Sequence, residues 1–312
     1  MHPRRLVAFF IVVDVQNLQS PIPITKNIKS GIEMKSLKLY FESILDDDDI
    51  FLDPENDKKV VEEWINENYN IYHGDLIISD DFIASCDGQI DVKNKSIEHL
   101  TNGLFRWGKI GNDFNCAYCN NLTSLEGAPE KVGGSFYCNN CNNLKSLEGA
   151  PKNTPRHFNC SHCNNLTSLE GAPKEVGGNF DCSFCEKLTS LKGVPKKVGN
   201  DFNCSECDKL KSLECAPKEV GGSFTCIRCE KLTTLKGAPE RVNRYFCCYK
   251  CEKLTSLEGA PENVGEDFNC SNCDKLRSLE GGPGNVMGYF ICDDCESLKI
   301  TDSDRKKYKI EN

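Results

Sequence analysis

Nine CxxC pairs carry eighteen of the 21 cysteines in this chain, and paired thiols at that spacing serve only a few kinds of chemistry. The pairs are Cys116/Cys119, Cys138/Cys141, Cys160/Cys163, Cys182/Cys185, Cys204/Cys207, Cys226/Cys229, Cys248/Cys251, Cys270/Cys273 and Cys292/Cys295. Two thiolates three residues apart are half of a tetrahedral zinc site or half of a 4Fe–4S site. They are also a disulfide in an oxidising compartment, or a redox nucleophile where the thiolate is stabilised. If copies stack as strands about 4.8 Å apart, adjacent pairs suit the roughly 3.8 Å sulfur separations implied by Zn–S bonds near 2.3 Å. The linear gap between successive pairs also falls in the window read as zinc. A row of iron–sulfur clusters at two-coil intervals would form an electron path.

Periodicity limits the weight of that spacing, because one CxxC repeated nine times produces it automatically. Pairing nine coils two by two also leaves one CxxC over. A thioredoxin-like motif is single and sits at a helix N-terminus, whereas these nine equivalents lie in a strand and turn array. No catalytic residue is assigned, and the chain reads as a non-enzyme. His157 and His162 fall in or beside one coil without a repeated Asp or Ser partner, and they read as surface variation.

The elements that must position the thiols follow from the 22-residue period. Each unit opens Phe-x-Cys-x-x-Cys-x-x-Leu, with Phe114, Phe136, Phe158, Phe180, Phe202, Phe224, Phe246, Phe268 and Phe290 at its head. A period this short marks a solenoid, in which no unit can bury its apolar face alone. Phe-x-Cys alternation is that of a short strand with one buried side. Gly127, Gly149, Gly171, Gly193, Gly237, Gly259 and Gly281 recur two residues before a Pro, which is turn chemistry and excludes a long helix on the return. Cys215 stands in that glycine column, so the position is not expected to demand a positive φ in every coil.

The inward register of Phe, first Cys, second Cys and Leu resembles that of leucine-rich repeats of the cysteine-containing kind. Leu166 to Gly178, Leu-Thr-Ser-Leu-Glu-Gly-Ala-Pro-Lys-Glu-Val-Gly-Gly, is similar to a repeat of gut bacteria and their tailed phages. The likeness covers about two-thirds of the chain. It implies a horseshoe or rod with a parallel strand column and a binding role. It also implies that the second cysteine fills an internal ladder position that caps backbone groups, the first being a small core residue. The family's helical return is absent, and many relatives have Asn at the second cysteine. The fold expected is therefore mostly β, a single-stack solenoid of nine leucine-rich-repeat-like coils over 114–300 with a small α-helical N-terminal region.

Residues 34–73 read as that helical region, with one helix from Met34 to Leu45 and a second from about Asp57 to Tyr69. Asp46–Asp49 read as a solvated linker, since a bare acidic run lacks the glycine and glutamate of a calcium loop. Residues 74–113 read as irregular capping coils, with Leu76–Ile78 and Ile90–Val92 as short strands, and 301–312 as a polar tail. Residues 1–33 read as a disordered leader or upstream extension. Their basic-then-apolar order outlines a signal peptide, but the apolar run is short, Asp14 ends it and no cleavage pattern follows. A cytoplasmic location in a bacterium or phage-infected cell is expected.

A net charge of −9 argues against a nucleic-acid groove, and no segment has the apolar length of a membrane span. An unidentified protein partner is expected instead. Variable positions on a constant frame carry solenoid specificity, and the most variable slots are the two residues inside each CxxC. Tyr118, Phe184, Arg228 and Tyr249 are the anchor-type side chains among them. The columns Glu186, Asp208, Glu230, Glu252, Asp274 and Lys187, Lys209, Lys231, Lys253, Lys275 read as a solvated face, with Asn-Asn there in the first three coils.

Overall fold

Phenylalanine and cysteine at positions 1 and 3 of each unit put both side chains on one side of a two-residue strand, and the next coil repeats the arrangement in register. The computed structural model describes residues 54–310; the leader, the expected Met34–Leu45 helix and Asp46–Asp49 lie outside them. Helix α1, Pro54–Asn68, is followed by strands β1 (Tyr69–Tyr72), β2 (Leu76–Ile78), β3 (Ile83–Cys86), β4 (Gln89–Val92) and β5 (Arg106–Ile110). Coil 1 contributes β6 (Phe114–Asn115) and β7 (Lys131–Val132), coils 2 to 8 each repeat that pair, and coil 9 contributes Phe290–Ile291 alone. The result is a mostly β stacked solenoid, with β4 at the head of the Phe-strand column.

One sheet of 11 strands runs β1, β4, β6 and then the Phe strands of coils 2 to 9. Only β1 and β4 pair antiparallel; every other neighbour is parallel, as Phe114 opposite Phe136 and Phe268 opposite Phe290 show. A second column was not legible in advance. Positions 18 and 19 of coils 2 to 8 form a seven-stranded parallel sheet from Asn153–Thr154 to Asn285–Val286, which turns the return of these coils into a strand with its valine, or Thr154 in coil 2, inward. A four-stranded sheet, β2, β3, β5 and β7, lies at the N-terminal end.

In-register parallel stacking puts like on like, so the core is a set of columns. The Phe, both Cys and both Leu positions are fully buried in most coils, with Phe180, Cys182, Cys185, Leu188 and Leu191 all at 0% exposure. Phenylalanine rings follow one another at centroid distances between 5.8 Å (Phe136–Phe158) and 5.1 Å (Phe268–Phe290). Both ends of this column are closed by other aromatics. Tyr69 and Trp107 lie 6.2 and 6.1 Å from Phe114, and both donate to the Leu100 carbonyl. At the far end the expected polar tail contains helix α2, Asp302–Tyr308, started by a Thr301–Asp304 capping box. Its buried Tyr308 stacks 4.0 Å from Phe290 and donates to the Pro283 carbonyl, which prolongs the ring column by one.

The glycine column does demand a left-handed backbone. Its glycines have φ of +74° to +108°, and Cys215 takes +70° in the same place, which corrects the expectation drawn from that substitution. Stacking imposes the conformation: a Cβ at Gly193 would stand 2.1 Å from the Leu169 carbonyl oxygen of the preceding coil. Cys215→Gly therefore removes a left-handed non-glycine residue and is expected to raise stability by about 1 kcal/mol, partly offset by the freer unfolded chain. Gly193→Ala is expected to lower it by more than that. Urea midpoints of the two variants check the pair; equal midpoints would contradict it.

Candidate functional site: the thiol ladder and the CxxC ridge

Within each CxxC the chain reverses over positions 4 and 5, which separates the two cysteines in role as well as in place. The second thiol of every coil after the first donates backward to the carbonyl of the preceding coil's first cysteine. Cys141 reaches Cys116 O at 3.2 Å, Cys163 reaches Cys138 O at 3.1 Å and Cys185 reaches Cys160 O at 3.4 Å. Cys207, Cys229 and Cys251 continue to Cys182, Cys204 and Cys226 at 3.3, 3.2 and 3.1 Å. Cys273 and Cys295 end the run on Cys248 and Cys270 at 3.4 and 3.3 Å. Cys119 has no coil of this kind below it and bonds weakly to Ala117 O within its own turn at 3.8 Å.

A thiol that donates must be protonated, and burial favours this for most of them. Burial pushes the first cysteines Cys116, Cys138, Cys160 and Cys182 well above the ordinary thiol value. Burial also raises Cys141 and Cys185 to about 12, and Cys119 and Cys295 to about 11. In the pairs Cys204–Cys229 and Cys248–Cys273 a thiol–thiol hydrogen bond raises the first member and lowers the second. Every cysteine is a free thiol. Among the described residues no group of three or more His, Cys, Asp or Glu side chains is arranged to hold a metal ion, so the four-thiolate expectation finds no ligand set. Buried neutral thiols are also poor nucleophiles.

Comparison of the chain with protein-family models, with curated proteins and with solved structures finds no match.

Position 5 of every CxxC lies in the left-handed region. Tyr118, Asn140, His162, Phe184, Glu206, Arg228, Lys250, Asn272 and Asp294 have φ between +53° and +64°. Large side chains there are uncommon in proteins. The stack holds them, because each position-5 amide donates to the position-4 carbonyl of the next coil, Phe184 to Ser205 and Arg228 to Tyr249 at 2.9 Å. Asparagine or aspartate at position 2 supports the turn from the other side, as Asn159 and Asp181 accept from the amides of Ser161 and Ser183 at 2.9 Å. Where Thr225 and Ile291 stand at position 2, serine of the coil below takes over: Ser205 caps Ile227 and Ser271 caps Asp293.

Position 5 thus forms an outward ridge with one side chain per coil. Tyr118 is 58% and Phe184 41% exposed. Arg228 is exposed and pairs with Glu206 at 3.2 Å, whereas Tyr249 occupies position 4 and is half-buried beside it. The four anchor candidates therefore share one side but not one patch; three coil steps, about 14 Å at strand spacing, separate Tyr118 from Phe184.

Both histidines have structural partners. The His162 ring stacks on Phe184 at 4.4 Å and 5°, which makes it part of the ridge. His157 Nδ1 accepts the Asn179 amide at 3.0 Å in a second ladder at position 22. There Asp113, Ser135, Asn179 and Asp201 likewise accept from the amide one coil on. That ladder breaks at Tyr245, and Ser223 Oγ is left buried without a partner. A recurring acceptor of changing identity at one repeat position was the available signal.

Proposed function

We propose that the chain is a non-enzymatic solenoid whose CxxC ridge binds a protein partner, or holds several, as a scaffold. The observation that carries this is the contrast within the repeat. The core columns barely change from coil to coil, while position 5 runs through tyrosine, asparagine, histidine, phenylalanine, glutamate, arginine, lysine and aspartate on an exposed edge. Neutral, hydrogen-bonded thiols suit a frame better than a reaction centre, and the charged side chains at two shallow surface depressions are solvent-exposed, Lys197 and Glu219 pairing with each other at 3.0 Å. One of these lies over Lys197, Glu219 and Arg241, the other beside Asn272, Asp294 and Glu296 at the last coil. The likeness of the repeat to cysteine-containing leucine-rich repeats of gut bacteria and their phages supports a binding role in bacterial or infected-cell cytoplasm. A net charge of −9 speaks against nucleic acid. No helix of the described residues is long and apolar enough to cross a membrane.

Left-handed side chains on the ridge give a test that separates binding from folding. Tyr118→Gly with Arg228→Gly removes two anchors and relieves two strained backbones, so stability is expected to hold or rise by up to about 1 kcal/mol per site. Capture of partners from bacterial host lysate is expected to fall, and to vanish in the Tyr118→Ala, Phe184→Ala, Arg228→Ala, Tyr249→Ala combination. A quadruple variant that melts like the wild type and retains the same partners would sink the ridge as the binding surface.

A further inference from the structure

After the second cysteine each coil turns again over positions 7 and 8. In coils 4 to 8 these positions build two adjacent charged columns, Glu186, Asp208, Glu230, Glu252, Asp274 and Lys187, Lys209, Lys231, Lys253, Lys275. In-register stacking repeats each charge about every 4.8 Å, and like charges directly opposite one another destabilise a parallel array. The Asp208 carboxyl records this, raised first by partial burial and then by Glu230, Glu206 and Glu186.

Elsewhere on the molecule opposite charges on successive coils do meet: Lys192 with Glu170, Lys197 with Glu219, Lys218 with Glu240, and Arg244 with Glu266. Among the described residues, no member of the two columns makes an ion pair. Lys187 instead donates to Asn165 Oδ1 at 2.6 Å, and Glu186 accepts from Asn164 at 3.3 Å. Ten charges, acid on one side and lysine on the other, thus line this turn as two parallel columns that close no ion pair among the described residues.

We propose that these columns form a self-complementary interface by which two copies of the chain associate side by side, parallel and in register. The order of the columns decides the geometry. A two-fold axis parallel to the stack exchanges left and right between facing copies, so the acids of each lie against the lysines of the other, coil 4 on coil 4 and coil 8 on coil 8. Antiparallel facing copies, related by an axis across the stack, set acid on acid and lysine on lysine and repel. A uniform polyanion or polycation would meet one favourable and one unfavourable column. A second copy brings both signs at the same pitch and in the required order. Coils 1 to 3 carry Asn-Asn at these positions and coil 9 carries Glu296-Ser297, which confines the paired columns to five coils. The inference is independent of the role given to the ridge.

Single exposed ion pairs contribute little, so the association is a property of the array and is strongly salt-dependent. Sedimentation at about 20 mM and about 500 mM NaCl, which brackets weak and strong screening, is expected to show a dimer that weakens at least tenfold at the higher salt. Two variants make the charge logic explicit. Asp208→Lys, Glu230→Lys, Glu252→Lys makes coils 5 to 7 of the face all-positive, and Lys209→Glu, Lys231→Glu, Lys253→Glu makes them all-negative. Each alone is expected to be monomeric, and a one-to-one mixture to dimerise again, which also shows that both are folded. Zero-length carbodiimide coupling of isotope-mixed wild-type copies is expected to join residues of the same coil, such as Asp208 of one to Lys209 of the other. A wild-type monomer at low salt, variants that dimerise alone, or inter-copy links from Glu186 to Lys275 would each overturn the proposal. If one variant fails to fold, the salt series and the other variant still decide.

Discussion

Between pH 7.5 and 9.5 the urea midpoint of this protein is expected to collapse, even under reducing, oxygen-free conditions. The ordinary thiol value is 9.0, whereas burial holds Cys116, Cys138, Cys160 and Cys182 well above it. As pH rises through the unfolded value, the unfolded chain loses protons that the folded chain keeps. Stability due to these groups is thus complete below about pH 8.5 and falls with rising pH until the folded thiols ionise. Each such thiol contributes a slope of about 1.4 kcal/mol per pH unit once the unfolded thiol is largely ionised. Four of them approach about 5 kcal/mol per unit, comparable with the whole stability of a modest domain. The loss begins before lysine and tyrosine titrate. An unchanged midpoint at pH 9.5 would mean that these thiols are not held buried and neutral.

Leu213→Ala in coil 5 is expected to cost about 2 to 5 kcal/mol. The side chain has 0% exposure, and its amide is bonded to the Lys236 carbonyl of the next coil at 3.0 Å, so a cavity there cannot close by a local shift. Lys209→Ala, on the exposed turn of the same coil, is expected to change little. Denaturant unfolding of the two side by side checks this, and midpoints within error of one another would show the leucine column to be misplaced. Because coils contact only their neighbours, the damage should concentrate at the seams above and below coil 5.

What could be read from the residues alone was whatever repeats as a type. Phe, Cys and Leu recur identically, so the period, the inward columns and the first strand column were legible. The second strand column was not, because a single valine between Lys or Glu and Gly gives too short an alternation to stand out. Left-handed position 5 was also hidden. Such a backbone is usually announced by Gly or Asn, but here stacking imposes it on Phe184, Glu206 and Arg228 alike. Position 22 shows the same limit in another form, since Asp113, Ser135, His157 and Asn179 share an acceptor and nothing else. The cysteines were ambiguous for a related reason. Spacing suits metal and ladder equally, and only the backward reach of Cys163 or Cys251 to a carbonyl distinguishes them.

The repeated thiol bond also makes the coil count a free variable. Each second cysteine meets its predecessor's first cysteine through the same atoms, whichever coils are involved. Excising the segment from one phenylalanine to the next rejoins two faces that already match, and loses one interface and one ridge position. Removing a single residue within a strand turns its inward side chains outward and spoils the seams on both sides. Gain and loss of whole units is therefore the gentlest route by which such a chain can lengthen or shorten its ridge, in steps of about 4.8 Å, while the aromatic closures at Trp107 and Tyr308 stay as they are.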